Sequence, residues 1–427
     1  MSGVRLPGDK LAAYGVLGLP LAMAALPIYV HVPKFYADTL GLSLAGVGVI
    51  LLLARVFDAV QDPLLGWWSD ARRLQPGGRW RFVAVGAPVM ALGLHGLFNP
   101  PQWPASALGW WLVANLLIVY TAFSMVTVSY TAIGAELSDD LAERTRVTAF
   151  REGFGLVGVF LAAALPEILK QSAGERAGFA QFSLVFVPLV LAGAAISIAF
   201  SPRPVVKPAA ARAPLVAALR LPFANHDFRW LVAVFVLNGI AASIPATLVL
   251  FFIEDVVQRP GLGAAFLIAY FAAGALGLPG WVWLSRRVGK VRAWLAAMAV
   301  SIVAFAWAFQ LGPGDANAFF VICVLSGLGL GADLALPPAL LADVIDQDEA
   351  RGVGRNEGAY FGLWALTTKL NLALAAGLAL PLLAAFGYAP RAANGAQSLA
   401  VLAGVYALLP CVLKALAALV LARSPLF

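Results

Sequence analysis

Residues 55–73 read RVFDAVQDPLLGWWSDARR. The segment sits inside a long apolar run, yet it carries Arg55, Asp58 and Asp62 before any turn signal is reached. Whether these charges are out of place depends on what surrounds them. The chain has 427 residues, of which 61% are hydrophobic and 12% charged, and its mean hydropathy is +0.86. A soluble domain carries about 25% charged residues. The composition reads as a polytopic integral membrane protein, so all three charges fall in a spanning segment.

A spanning helix needs about 20 mostly apolar residues. Twelve stretches qualify, with approximate cores at 11–36, 43–68, 82–99, 107–135, 150–171, 180–200, 228–253, 262–284, 293–311, 317–342, 357–386 and 398–422. The expected class is an all-α membrane protein of twelve transmembrane helices. Breaks fall at Pro- and Gly-rich turns: NPPQWP at 99–104, LGPGDAN at 311–317 and FGYAPRAANG at 386–395. Lys10 precedes the first stretch, which has no convincing small-residue cleavage site and reads as its own insertion signal. The two cysteines, Cys323 and Cys411, lie in apolar segments and read as small buried hydrophobes.

Lys and Arg set the expected orientation. One set of connections holds DARRLQPGGRWR, ERTR, SRRVGKVR, EARGVGR and the basic stretch after Ser201, whereas the opposite set holds Lys34, Lys170, Arg176, Arg259 and Arg391 and little else. The first set is expected in the cytoplasm together with both termini, in the plasma membrane (the inner membrane of a bacterium). The net charge of +7 is thus a topology and headgroup signal spread over short loops, and a nucleic-acid partner is not expected.

Residues 202–227 are rich in Pro, Ala and basic side chains and too short of apolar sequence to span. They divide the chain into an N-terminal six-helix bundle at 1–201, a cytoplasmic linker, and a C-terminal six-helix bundle at 228–427. A sequence echo points to duplication. GWWSDARR (66–73) follows the second stretch and GWVWLSRRVGK (280–290) follows the eighth, the second position of each half. Parallel repeats of this kind are the plan of the major facilitator fold. Asp70, Arg72 and Arg73, with Arg286 and Arg287, are the expected cytoplasmic latch, since an Arg pair binds a facing carboxylate or lipid phosphate.

Ionisable groups within spans are costly and mark functional positions. Asp58 and Asp62 lie four residues apart, hence on one helical face one turn apart. Asp62 is ten residues from Arg72, about 15 Å along a helix, so both acids lie deep. Two adjacent carboxylates resist joint ionisation, and a proton or a bound cation relieves the repulsion. Hard cations take oxygen ligands; Ser124, Thr127 and Ser129 of the fourth stretch are candidates to complete the shell. An internal Arg55–Asp58 pair is the structural alternative for one of the acids. Lys369, in LWALTTKLN, is a candidate counter-ion and snorkelling is the alternative. Asp333 lies in GLGADLALPPALLADVID, where Gly and Pro mark the kind of broken helix that lines transport cavities; a structural carboxylate is the equal alternative. Glu136, Glu167, Asp343, Glu357 and Lys414 lie nearer helix ends, where snorkelling is cheap. His31, His95 and His226 show no cluster and no carboxylate at catalytic spacing, and read as packing residues. There is no phosphate-binding G-x-x-x-x-G-K-[ST], no GxSxG, no HExxH and no Cys/His metal set, so an enzyme is not expected, nor a cofactor or a metal beyond a monovalent cation.

Three stretches carry a resemblance: YADTLGLSLAGVGVILLLARVFDAVQDPLLGWWSDARR, ELSDDLAERTRVTAFRE and LADVIDQDEARGVGRNEGAYFGLWALTTKL. They resemble the glycoside–pentoside–hexuronide:cation symporter family, the melibiose permease-like group of the major facilitator superfamily, to which lysophosphatidylcholine symporters are related. The resemblance spans both halves. It implies that Asp58 and Asp62 bind the coupling cation, that Lys369 sits beside the cation and substrate sites, and that Arg151 contacts substrate. Asn371 and Trp364 flank Lys369 and are taken with Asp333 as substrate-side residues. Thr127 stands where the melibiose permease pattern has a third cation-site acid and many relatives have Asn, which leaves H⁺ or Li⁺ open beside Na⁺. Leu21 and Ala22 stand where the melibiose permease pattern has a Lys–Asp pair whose Asp holds galactoside hydroxyls. A buried unpaired hydroxyl costs about 1–3 kcal/mol, so a galactoside site is not carried over. The expectation is a monomeric, cation-coupled symporter of a sugar-like or amphipathic solute working by alternating access. A lysolipid transporter or flippase of the same fold is the alternative.

Overall fold

A computed structural model describes residues 5–72, 74–138, 140–203, 222–350, 357–390, 392 and 394–426. The described residues are helical, and twelve of their helices are long and apolar enough to cross a membrane. They are numbered here as spans 1 to 12: Gly8–Thr39, Leu44–Ser69, Trp80–Phe98, Ala105–Glu136, Arg146–Ala173, Glu175–Phe200, His226–Val257, Pro260–Val288, Lys290–Ala308, Ala316–Asp348, Ala359–Ala385 and Ala396–Ala422. Each coincides with one apolar stretch of the sequence, because few other arrangements satisfy twenty consecutive apolar residues and their backbone polar groups at once.

The chain forms two compact units, Met1–Leu42 with Leu53–Ala210, and Ser43–Leu52 with Ala211–Phe427. Ser43–Leu52, at the head of span 2, therefore groups with the second unit. Most of the linker lies outside the described residues.

Span 2 shows how sequence spacing sets orientation. Leu53, Phe57, Val60, Leu64 and Trp67 recur every three or four residues and are exposed. The opposite face carries Ala54, Arg55, Asp58, Ala59 and Gln61, all buried. This inverts the pattern of a soluble helix: the apolar stripe meets the hydrocarbon and the polar stripe meets protein.

Spans 1 and 7 each end in a π turn, Phe35–Thr39 and Ile253–Val257. In span 1 the turn follows Pro33, which has no N–H to give to the preceding helical turn. These wide turns hold corresponding places in the two halves, a second echo beside the Gly-Trp and Arg-pair motif. Spans 5 and 6 are joined through Gly174 alone, whose φ of 82° ends one helix and admits the next. In the second unit, Gly327 and Gly331 of span 10 lie against the carbonyls of Tyr270 and Gly274 of span 8. Small residues four apart let these two backbones touch, which is the membrane substitute for a hydrophobic driving force.

Candidate functional site

In the first unit, spans 2 and 4 are joined through Asp58, which is fully buried. Its Oδ1 accepts from Ser124 Oγ at 2.8 Å and from Gln61 Nε2 at 3.4 Å. Its Oδ2 accepts from Arg55 Nη1 at 3.1 Å. The Arg55 guanidinium lies 4.3 Å from the centre of the Tyr120 ring, a position favoured by the ring quadrupole. Gln61 Oε1 accepts from Thr121 Oγ1 at 2.8 Å. One turn beyond Asp58, Asp62 is half-buried on the same stripe. Thr127, three residues past Ser124, has a buried Oγ1 with no hydrogen-bond partner among the described residues.

The Arg55–Asp58 pair anticipated as the structural alternative is thus present, and it coexists with the Ser124 contact. Ser129, considered as a further shell hydroxyl, is engaged elsewhere. Its Oγ lies 2.9 Å from Ser69 Oγ, which also accepts from Arg79 Nη1 at 3.2 Å. Arg79 in turn holds Glu136, with Nη2 3.0 Å and Nε 3.2 Å from Oε1. Glu136 is therefore paired, where the sequence suggested a carboxylate snorkelling at a helix end. Arg151 is half-buried and its Nη2 donates to Glu152 Oε1 at 2.7 Å.

In the second unit, Phe235 of span 7 holds span 11 twice. Its ring stacks on Trp364 at a centroid distance of 3.6 Å and 21° between planes. Its carbonyl accepts from Asn371 Nδ2 at 3.2 Å. Asn371 Oδ1 is buried without a hydrogen-bond partner among the described residues. Trp364 belongs to an apolar core with Tyr360, Leu363 and Trp294. Lys369 is half-buried between Trp364 and Asn371 in the sequence of span 11.

Asp333 is the centre of a network across four spans. Its Oδ1 accepts from Asn238 Nδ2 of span 7 at 3.0 Å and from Trp294 Nε1 of span 9 at 2.7 Å. Its Oδ2 accepts from Lys414 Nζ of span 12 at 3.0 Å, and Lys414 also donates to Asn238 Oδ1 at 2.7 Å. Lys414 is 4% exposed, so it does not snorkel as its sequence position suggested. Its depth in span 12 was the available signal.

Of the latch residues, Arg72, Arg286 and Arg287 are exposed, and the Arg287 guanidinium lies 4.7 Å from the centre of the Trp283 ring. Arg73 and the Asp70 side chain lie outside the described residues.

Outside the spans, Glu143 joins the N-terminal segment to the start of span 5. Arg146 Nη1 donates to both its oxygens, at 2.7 and 2.8 Å, and the Leu6 N–H donates to Oε2 at 3.1 Å. The Arg146 hydrogen bonds hold the Glu143 carboxyl below its ordinary range, burial opposes them, and the Leu6 N–H adds to them.

Twelve apolar spans with paired charges buried among them define a polytopic membrane protein. The profile of the family described as MFS/sugar transport protein matches residues 11–426, and the chain belongs to that family. An uncharacterized symporter of Synechocystis sp. is 23% identical over 92% of this chain and 88% of its own length. The sphingosine-1-phosphate transporter MFSD2B of Mus musculus is 22% identical over 88% of this chain and 80% of its own. Among solved structures, a bacterial homolog of the human lysosomal transporter Spinster, inward-facing and unoccupied, superposes with a TM-score of 0.73 at 15% identity, covering 98% of this chain and 97% of that one. The fold is the major facilitator fold, and the protein is an integral membrane transporter, not an enzyme.

Proposed function

We propose that this protein is a cation-coupled symporter that moves a sugar-like or amphipathic solute by alternating access. The observation that carries the reading is Asp58. It is a fully buried carboxylate bound by Ser124 of the neighbouring span, with Asp62 one turn away and the partnerless Thr127 hydroxyl three residues past Ser124. Oxygen donors from two spans are what a small hard cation needs. Two carboxylates one turn apart resist joint ionisation, and one bound Na⁺, Li⁺ or H⁺ relieves the repulsion. Lys369, Arg151, Asn371, Trp364 and Asp333 are the proposed substrate-side and coupling residues, the last acting through its network. Arg72 and Arg73 with Asp70, and Arg286 with Arg287, are the proposed cytoplasmic latch. The orientation we propose places both termini in the cytoplasm of a plasma-membrane protein that works as a monomer, because the basic connections lie on that side.

The test is the thermal stability of the purified chain in Na⁺, Li⁺ or choline chloride. A ligand that binds only the folded state raises its stability in proportion to ln(1 + [L]/Kd). Na⁺ or Li⁺ is expected to raise the melting temperature of the wild type, and Asp58→Asn and Asp62→Asn are expected to abolish the rise. A response to pH in place of both metal ions assigns a proton. An ion response that survives in both variants overturns the reading.

A second reading, a carrier of lysolipid-like solutes, is favoured by the sphingosine-1-phosphate transporter among the relatives and by the apolar Leu21 and Ala22 of span 1. It predicts stabilisation by lysolipids and none by a panel of sugars.

A further inference from the structure

His31 lies in span 1 with no exposed surface, about 12 Å from the Thr39 end of the helix. Span 5 brings Glu167 against it. The glutamate is 4% exposed, and its Oε1 lies 3.4 Å from His31 Nδ1. The sequence offered no carboxylate near this histidine; the partner comes from a span far along the chain. A buried imidazole nitrogen and a buried carboxylate oxygen therefore face each other.

The surrounding charges are few. Lys170, one turn beyond Glu167, has Nζ 2.8 Å from the same Oε1 and 3.9 Å from Glu175 Oε1 at the head of span 6. Within span 1, Lys34 and Asp38 pair at 2.7 Å. Span 6 also supplies the Phe179 ring, edge-on to His31 at 5.6 Å and 5.7 Å from Lys170 Nζ. Arg176 of span 6 is turned to the Pro100 carbonyl at 2.8 Å. Around His31 stand Lys34, Lys170 and Arg176 with Asp38, Glu167 and Glu175, cations and carboxylates in equal number. A proton on the imidazole turns the Nδ1–Oε1 contact into a charge-assisted hydrogen bond, in competition with Lys170 for the same oxygen.

We propose that His31 and Glu167 form a proton-binding site that shares no residue with the span 2 carboxylates. The site joins spans 1 and 5, so proton binding tightens the packing between them, and it stands whether or not span 2 binds a metal ion.

The chain has three histidines, so ¹⁵N-histidine NMR of the full chain in lipid nanodiscs resolves the site directly. One imidazole, absent in His31→Gln, is expected to reach the doubly protonated form on acidification. Its midpoint falls by about one pH unit or more in Glu167→Gln, which removes the facing carboxylate, and rises in Lys170→Met, which removes the competing cation. A His31 ring that stays neutral wherever the chain is folded overturns the proposal. So does a midpoint that Glu167→Gln leaves unchanged. If His31→Gln does not fold, His95→Gln and His226→Gln assign the signal by elimination.

Discussion

Ser124 of span 4 donates a 2.8 Å hydrogen bond to Asp58 of span 2. With the Thr121–Gln61 hydrogen bond, it ties the polar stripe of span 2 to span 4. Ser124→Ala leaves Asp58 its Arg55 and Gln61 donors, so the chain is expected to fold with a loss of about 1.5–3 kcal/mol, the range for a hydrogen bond to a charged group. Thermal unfolding in detergent measures it. The stabilisation by Na⁺ or Li⁺ is expected to weaken in the same variant, whereas Ser129→Ala, whose hydroxyl meets Ser69, leaves it unchanged.

Asp333 and Lys414 share a buried ion pair whose other groups are bonded to Asn238 and Trp294. Removing one partner leaves a buried charge alone, at a cost of about 3–5 kcal/mol. Asp333→Asn and Lys414→Met are each expected to lower stability by that order. The double variant is expected to recover a large part of it, and a double-mutant cycle on the melting transition reads the coupling.

Gly331 lies where a Cβ would run into the Gly274 carbonyl of span 8. Gly331→Val is expected to force spans 8 and 10 apart at a cost of about 1–3 kcal/mol or more. Gly280→Val, at a site with open space around it, is the control. Yield of monodisperse protein and melting temperature separate the two.

Glu143 has a folded-state pKa below its ordinary value because Arg146 hydrogen-bonds its carboxylate. The stability it contributes is complete above the unfolded carboxylate pKa, about 4.3, and is lost as pH falls through the lower folded value. Wild type is therefore expected to lose more stability than Glu143→Gln between about pH 5 and pH 3. Melting curves across that window test it, and parallel curves contradict the assignment.

The spans were legible because long apolar runs leave little choice, and the inward face of span 2 because three- and four-residue spacing fixes sides of a helix. Ser124 was legible as an oxygen near Asp58. The partners of lone charges were not. Nothing near Asp333 in the sequence names Lys414, which is 81 residues away, and nothing near His31 names Glu167. Each charge looks isolated in its own span, and only the packing of distant helices brings it a counterpart. Lys414 and Glu167 were set aside as end residues because helix ends permit escape to the interface. Their burial shows that packing closed that route.

Phe235 grips span 11 with a ring on Trp364 and a carbonyl on Asn371, five residues before Lys369 and two after it. The lysine is bracketed by two fixings to one neighbour. Span 11 cannot swivel Lys369 about its own axis without unstacking the indole or breaking the Asn371 hydrogen bond. A movement of span 11 that keeps both contacts carries span 7 with it.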